Sequence, residues 1–274
     1  VAKLGHAMGQ WVKVKEATPV AEGQEKRTCS RCGHVETRAV AYQGNALILK
    51  DAELLKQDTV WINGMPYPVK GSGNNKYVEL PSAAECLLVT YTYHVGDAKD
   101  VHTQYPTGMK VYRVTKGASG FQAAHIPALD NLLQYSGSSI RITGKKGIRM
   151  ITSIPEAMKK ALTGKGLAGF TLVEYGTALA WKSDLENGPL VLGASYTKSN
   201  YAYKKGVADP VFKDTGKLVQ YTNVLVGFTN DQCKDDIAMR PYIILQNSKG
   251  EQITIYGGVI YRSIGYIAYQ NRTV

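Results

Sequence analysis

The chain of 274 residues carries 33 basic against 22 acidic side chains, a formal charge of +11, with 44% hydrophobic and 20% charged residues. That composition excludes a disordered tail, supplies enough apolar material for real cores, and at this length points to roughly two domains. The basic residues are scattered in ones and twos without a zinc finger, basic helix or ribonucleoprotein motif, so no nucleic-acid binder is described, and no stretch approaches the ~18 consecutive apolar residues of a membrane helix.

The surplus of positive charge does favour anionic partners such as wall polymers or sialylated glycans. Eighteen Tyr against four Phe suit half-exposed strands and binding surfaces, although antiparallel sheets favour Tyr in any case. The chain begins at Val1 and ends at Val274 without a start or stopping pattern, and is expected to be a piece of a longer protein.

Residues 1–41 read as a unit of their own. Gly9 to Val14 alternates as a strand, and Gln24–Thr28 pairs with Val35–Val40 about a turn holding Cys29-Ser-Arg-Cys32-Gly33. A piece this small has little core and must lean on a covalent link, a metal or its neighbours. The Cys pair admits three readings. A zinc knuckle needs two further ligands, and only His6 and His34 are at hand where strong zinc signals show a second complete pair; a redox site would open a helix after a strand, whereas this pair sits between strands; and a Cys29–Cys32 disulfide, the preferred reading for an exported protein, would staple the hairpin, so no metal is expected. Cys86 and Cys233 read as buried or half-buried thiols.

Residues 42–136 read as an irregular β-rich module. Asn45–Lys56 is a strand followed by a helical turn, Thr59–Val69 a strand running into a tight turn at Asn63-Gly64, and Leu87–Tyr93 and Gly108–Val114 are its clearest strands. Between the last two, His94 to His102 gathers two His and two Asp in nine residues, a composition that suits a metal but reads first as a polar loop. Leu129, Leu132 and Leu133 at helical spacing predict a short helix over Ile126–Tyr135.

The third part, 137–274, is organised by the stretch Ser138–Ser153. Ile140, Ile142, Ile148, Met150 and Ile154 alternate with polar residues about Gly144-Lys-Lys-Gly147, predicting a hairpin with one dry face. Pro155–Leu162 is a helix ended by Gly164. Gly164-Lys-Gly166-Leu-Ala-Gly169 matches the dinucleotide fingerprint but follows a helix and precedes a strand, the reverse of what phosphate cradling requires, so it reads as a turn. Phe170–Trp181 is a strand bent at Gly176, Leu190–Leu192 a short one, Tyr221–Phe228 and Arg240–Gln246 are strands, Glu251–Tyr256 returns after a turn at 247–250, and Val259–Gln270 closes the sheet. The pattern is mainly β, with a β-sandwich-like domain and one or two short helices.

No metalloprotease, nucleophile-elbow, phosphate-loop or EF-hand motif occurs, and Asp235-Asp236, adjacent on a strand, would point to opposite faces. The expectation is a binding module rather than an enzyme, with no cofactor. Its candidate contact surface is the region 196–214, a long stretch without apolar period, through Tyr196, Tyr201, Tyr203, Lys204, Lys205 and Phe212. For carbohydrate stacking the candidates are Trp11, Trp61 and Trp181.

Gly9-Gln-Trp11 through Ala17-Thr18, Arg27-Thr-Cys29-Ser-Arg-Cys32-Gly33 and Glu36-Thr resemble a short Cys-x-x-Cys repeat found in tandem on surface proteins of gut Clostridia, the Lachnospiraceae genera Ruminococcus and Blautia among them. The family repeat often has a further Cys after Ala-Thr, where this chain has Pro19. Leu129 to Gly137, Ser199 to Pro210, Ile237-Ala-Met-Arg-Pro241 and Tyr261 to Tyr266 resemble large extracellular modules of the same proteins. Some are similar to immunoglobulin-binding B-cell superantigens. The resemblance implies an extracellular module at the bacterial cell surface whose partner is a host antibody variable domain; it marks no binding residues. Mucin or plant-glycan adhesion and a structural spacer are the alternatives.

Overall fold

The structure, a computed structural model, describes residues 5–18, 21–41, 44–81, 86–117, 120–207 and 213–272. In chain order the strands are β1 Val12–Lys15, β2 Gly23–Thr28, β3 Val35–Val40, β4 Ala46–Ile48, β5 Thr59–Ile62, β6 Met65–Pro68, β7 Tyr77–Glu79, β8 Cys86–Val95, β9 Gln104–Gly117 and β10 Gly120–His125. They continue with β11 Gln134–Arg141, β12 Gly147–Pro155, β13 Phe170–Trp181, β14 Lys198–Lys204, β15 Lys213–Asp214, β16 Leu218–Val226, β17 Ile237–Asn247, β18 Gln252–Tyr256 and β19 Ile260–Arg262. The α-helices among the described residues are α1 Ala52–Leu55, α2 Glu156–Thr163 and α3 Ile264–Gln270.

The chain divides into two compact units that alternate along the sequence. The first draws on the described residues of Val1–Thr59, Tyr67–Glu85 and Val114–Ala123. Here β1, β2 and β3 form a small antiparallel sheet, with β2 and β3 in unbroken register from Gly23↔Val40 to Thr28↔Val35. One face carries cross-strand ion pairs, Arg27 with Glu36 at 2.6 Å and Arg38 with Glu25 at 2.7 Å. The two guanidinium groups lie 4.7 and 4.4 Å from the ring centre of Trp11. Among the described residues of 5–41, only Ala17 and Cys29 are buried hydrophobic side chains. Elsewhere in this unit β4 pairs antiparallel with β7 and meets β10 at Leu47↔Phe121, burying Leu47, Val78 and Phe121. Asp51 caps α1 by accepting from the N–H groups of Glu53 and Leu54.

The second unit comprises Val60–Pro66, Cys86–Arg113 and the described residues of Ala124–Val274. It holds a four-stranded sheet in the order β11-β12-β16-β15 and a five-stranded one in the order β14-β13-β17-β18 with β19 also on β17. Ile154 and Tyr221 of the first sheet share a core with Leu172, Tyr175, Ile243 and Leu245 of the second. Ile148 and Met150 likewise share one with Leu179, Ile237 and Met239. The protein is mainly β with short helices, as the alternation predicts, and this unit is a sandwich.

The organising hairpin forms in register, Ile140 opposite Ile148 and Arg141 opposite Gly147, with Gly144 at φ +63° in the turn. α2 begins after Pro155, ends at Gly164, and sends Leu162 and Met158 into the larger core. The fingerprint-like stretch is a turn with Gly166, Ala168 and Gly169 all at positive φ.

Four local expectations are corrected. Ile142 lies past the end of β11 and is 58% exposed, so the dry face stops at Ile140. Residues 126–135 are not a helix beyond one 3₁₀ turn at Pro127–Leu129: Asn131 takes φ +54°, and its side chain and that of Asp130 accept from the N–H groups of Met109 and Val111. The three leucines are nonetheless buried. Leu190–Leu192 forms no strand. The closing segment 259–270 is a strand only at β19 and then turns into α3, because Ser263 accepts from the Tyr266 N–H and caps a helix there. The stretch 42–136 contributes β4 and β7 to the first unit and β8 to the second.

Candidate functional site

The region expected to be a long binding loop is, from Lys198 to Lys204, the end strand of the five-stranded sheet. β14 pairs with β13 through a bulge: the step Tyr175–Gly176 on β13 faces Tyr203 to Tyr201 on β14, leaving Ala202 as the extra residue. Gly176 is required, since a Cβ there would sit 2.3 Å from the Asn200 oxygen. The bulge separates the two tyrosines. Tyr201 is half exposed with the Lys204 ammonium 5.9 Å from its ring centre, whereas Tyr203 stacks on Tyr175 at 5.2 Å. Tyr196 is half-buried and donates its hydroxyl to the Pro189 oxygen, and Lys205 is exposed just past the strand. Of the six candidates, Tyr201, Lys204 and Lys205 are exposed together, Tyr196 and Tyr203 are engaged internally, and Phe212 lies outside the described residues.

The tryptophans are also engaged. Trp11 lies against Arg27 and Arg38, and Trp61 lies 4.7 Å from the guanidinium of Arg240. Trp181 meets Phe228 edge-on at 5.6 Å and lines a cleft of about 230 Å³ with Tyr196, Asp184, Lys198 and Gln232. Arg240, which sequence reasoning left in a plain strand, is fully buried. It donates to the oxygens of Gly257, Gly64 and Leu190 at 2.9, 2.9 and 3.1 Å, with the Tyr256 ring on its other side.

The His94–His102 segment does not converge on a metal. His94 stacks on Tyr105, Asp97 accepts from the Lys99 N–H, and His102 is bracketed by two carboxylates, Asp100 at 2.6 Å and Asp236 at 2.5 Å. The His102 ring stacks on Tyr266 at 4.2 Å, and Lys182 approaches Asp236 from the other side. The backbone N–H of His102, then its side chain, hold the Asp100 carboxyl below its ordinary value. Asp236 is thereby occupied, while its neighbour Asp235 is exposed.

One group of His, Cys and acidic side chains among the described residues is close enough to share an ion: His6, Cys29 and Cys32, with donor atoms all within 4.8 Å of one another. The turn after β2 builds it. The Cys29 N–H donates to the His34 oxygen, the Gly33 N–H returns to Cys29, and Gly33 takes φ +71°. The preceding segment is tied alongside: Ser30 donates from N–H and hydroxyl to the Ala7 oxygen, and Met8 bridges Cys29. This carries His6 Nδ1 to 3.2 Å from Cys32 Sγ, with the His6 ring stacked on His34 at 4.5 Å.

All four cysteines are unbridged. Burial acts against the charged form of Cys29, but the backbone N–H groups of Arg31 and Cys32, with His6 and the Cys32 thiol, outweigh it and bring the thiol down to about 6. Burial alone pushes Cys86 up to about 11. The spacing of the Cys pair was legible in the sequence; the arrival of His6 depends on strand pairing.

Compared with known proteins, the chain matches no family model and no curated sequence.

Proposed function

We propose that this chain is a non-catalytic, extracellular binding module that grips a protein partner along β14, the partner of first choice being an immunoglobulin variable domain. The observation that carries this reading is an end strand with one sheet neighbour and an outward-facing Tyr201 flanked by lysines. Such an edge offers backbone hydrogen bonds to an added strand, and Tyr supplies rigid contact area at low entropic cost. Lys198, Lys204 and Lys205 discourage pairing with a second copy of the same edge and favour a partner with acidic residues beside its contact patch.

The test is binding of the chain to Fab fragments of different heavy-chain variable families. Selective binding that ignores antigen specificity is expected. The double variant Tyr201→Ala, Lys204→Ala should weaken it by ~100-fold, since a central Tyr and its charged neighbour together carry about 2–3 kcal/mol in such contacts. Unchanged affinity in that folded variant removes β14 from the contact. A glycan reading draws on the Trp181 cleft instead; a glycan array with Trp181→Ala as the control separates the two.

A further inference from the structure

We infer that Cys29, Cys32 and His6 form a zinc-binding site that clips residues 5–9 to the tip of the β2–β3 hairpin. The donor set is two sulfurs and one imidazole nitrogen, the chemistry zinc prefers. Its spacing is near what the ion needs. A tetrahedral zinc with Zn–S of about 2.3 Å and Zn–N of about 2.0 Å places sulfur and nitrogen roughly 3.5 Å apart, and the His6 to Cys32 distance is 3.2 Å.

The turn prepares the sulfur for a cation. The Cys29 N–H donates to the His34 oxygen and the Gly33 N–H to the Cys29 oxygen, which closes the loop that carries both thiols. Gly33 in the left-handed region brings the chain back after Cys32, so both thiols stay on the side where His6 arrives. Among the described residues the cluster offers three donors and His34 is not within it, so the fourth position falls to a solvent molecule. On binding, any proton still held by either thiol passes to solvent, two Zn–S bonds and one Zn–N bond form, and no redox step is involved.

The need for such a link is local. Among the described residues of 5–41 the buried hydrophobic side chains are Ala17 and Cys29, and a metal supplies what burial of these two does not. A Cys29–Cys32 disulfide would consume the same thiols but leave His6 without a role, so the two linkages are mutually exclusive and separable.

The experiment adds Co²⁺, then Zn²⁺, to the complete reduced chain without oxygen. Expected are one equivalent of Co²⁺ with the intense visible bands of a tetrahedral thiolate site, and their loss as Zn²⁺ displaces it. Cys29→Ser and Cys32→Ser should each abolish the bands, His6→Ala should lower affinity by about tenfold or more, and Cys233→Ser should leave them intact. Circular dichroism of each variant verifies that the sandwich persists. Absence of stoichiometric binding by the folded reduced chain overturns the site, as does equal binding by the Cys29→Ser, Cys32→Ser double variant, which would mark adventitious ligation elsewhere.

Discussion

The small sheet β1–β3 and the sandwich built on β12, β13 and β17 are both antiparallel, yet they solve the same problem with different materials. The sandwich buries long rows of Ile, Leu, Met and Tyr, and encloses Arg240 completely by giving its guanidinium three backbone oxygens. The small sheet instead lays charge across its strands, with Trp11 beneath two guanidiniums and two Arg–Glu pairs spanning β2 and β3. Exposed pairs of this kind contribute about 0–1 kcal/mol each. A sheet held so lightly gains more from a linkage at its tip than a sandwich held by burial does.

The two regions differ most in what a single substitution at Arg240 should cost. Arg240→Met keeps the volume of the stem but strands three backbone oxygens inside the core, and at about 1–3 kcal/mol for each unpaired group the loss should reach roughly 3 kcal/mol or more. Urea unfolding should show it as a lowered midpoint. A variant as stable as the parent would mean that those oxygens find other donors.

A smaller and pH-dependent effect is expected at Asp100. Its folded value is depressed from the ordinary 3.8, so its contribution is fully present above that value and lost as pH falls through the lower folded value. The wild-type chain should therefore lose more stability than Asp100→Asn on acidification through that window. Thermal melts in a pH series read this, and parallel curves for the two proteins would contradict it.

The smallest effect belongs to the small sheet itself. A double-mutant cycle on Glu25→Gln and Arg38→Met should give a coupling below about 1 kcal/mol that shrinks with added salt. A larger, salt-insensitive coupling would show that these charges hold the small sheet as firmly as burial holds the sandwich.

Much of this architecture could be read from residue order. The alternation around Gly144 to Gly147 specified the hairpin, and the Cys-x-x-Cys-Gly turn specified the pairing of β2 with β3, because both signals are local. Failures came where a distant partner decides. The leucines 129, 132 and 133 have helical spacing, but Asp130 and Asn131 spend their side chains on backbone groups of β9. Tyr201 and Tyr203, two apart, would share a face on a regular strand; the bulge opposite Gly176 parts them. His6 is 23 positions from Cys29, and nothing in its own neighbourhood announces that it will arrive at Cys32.

Arg240 has one further implication, for which arrangements of the sandwich are tolerated. Its acceptors come from Gly64, 176 positions away, Leu190, 50 away, and Gly257, 17 away. A guanidinium is withdrawn from water at a cost unless all three oxygens are present, because each missing one leaves a buried donor without a partner. Burial of Arg240 is thus favourable only where all three segments are in place, and any arrangement in which one of them is displaced is penalised.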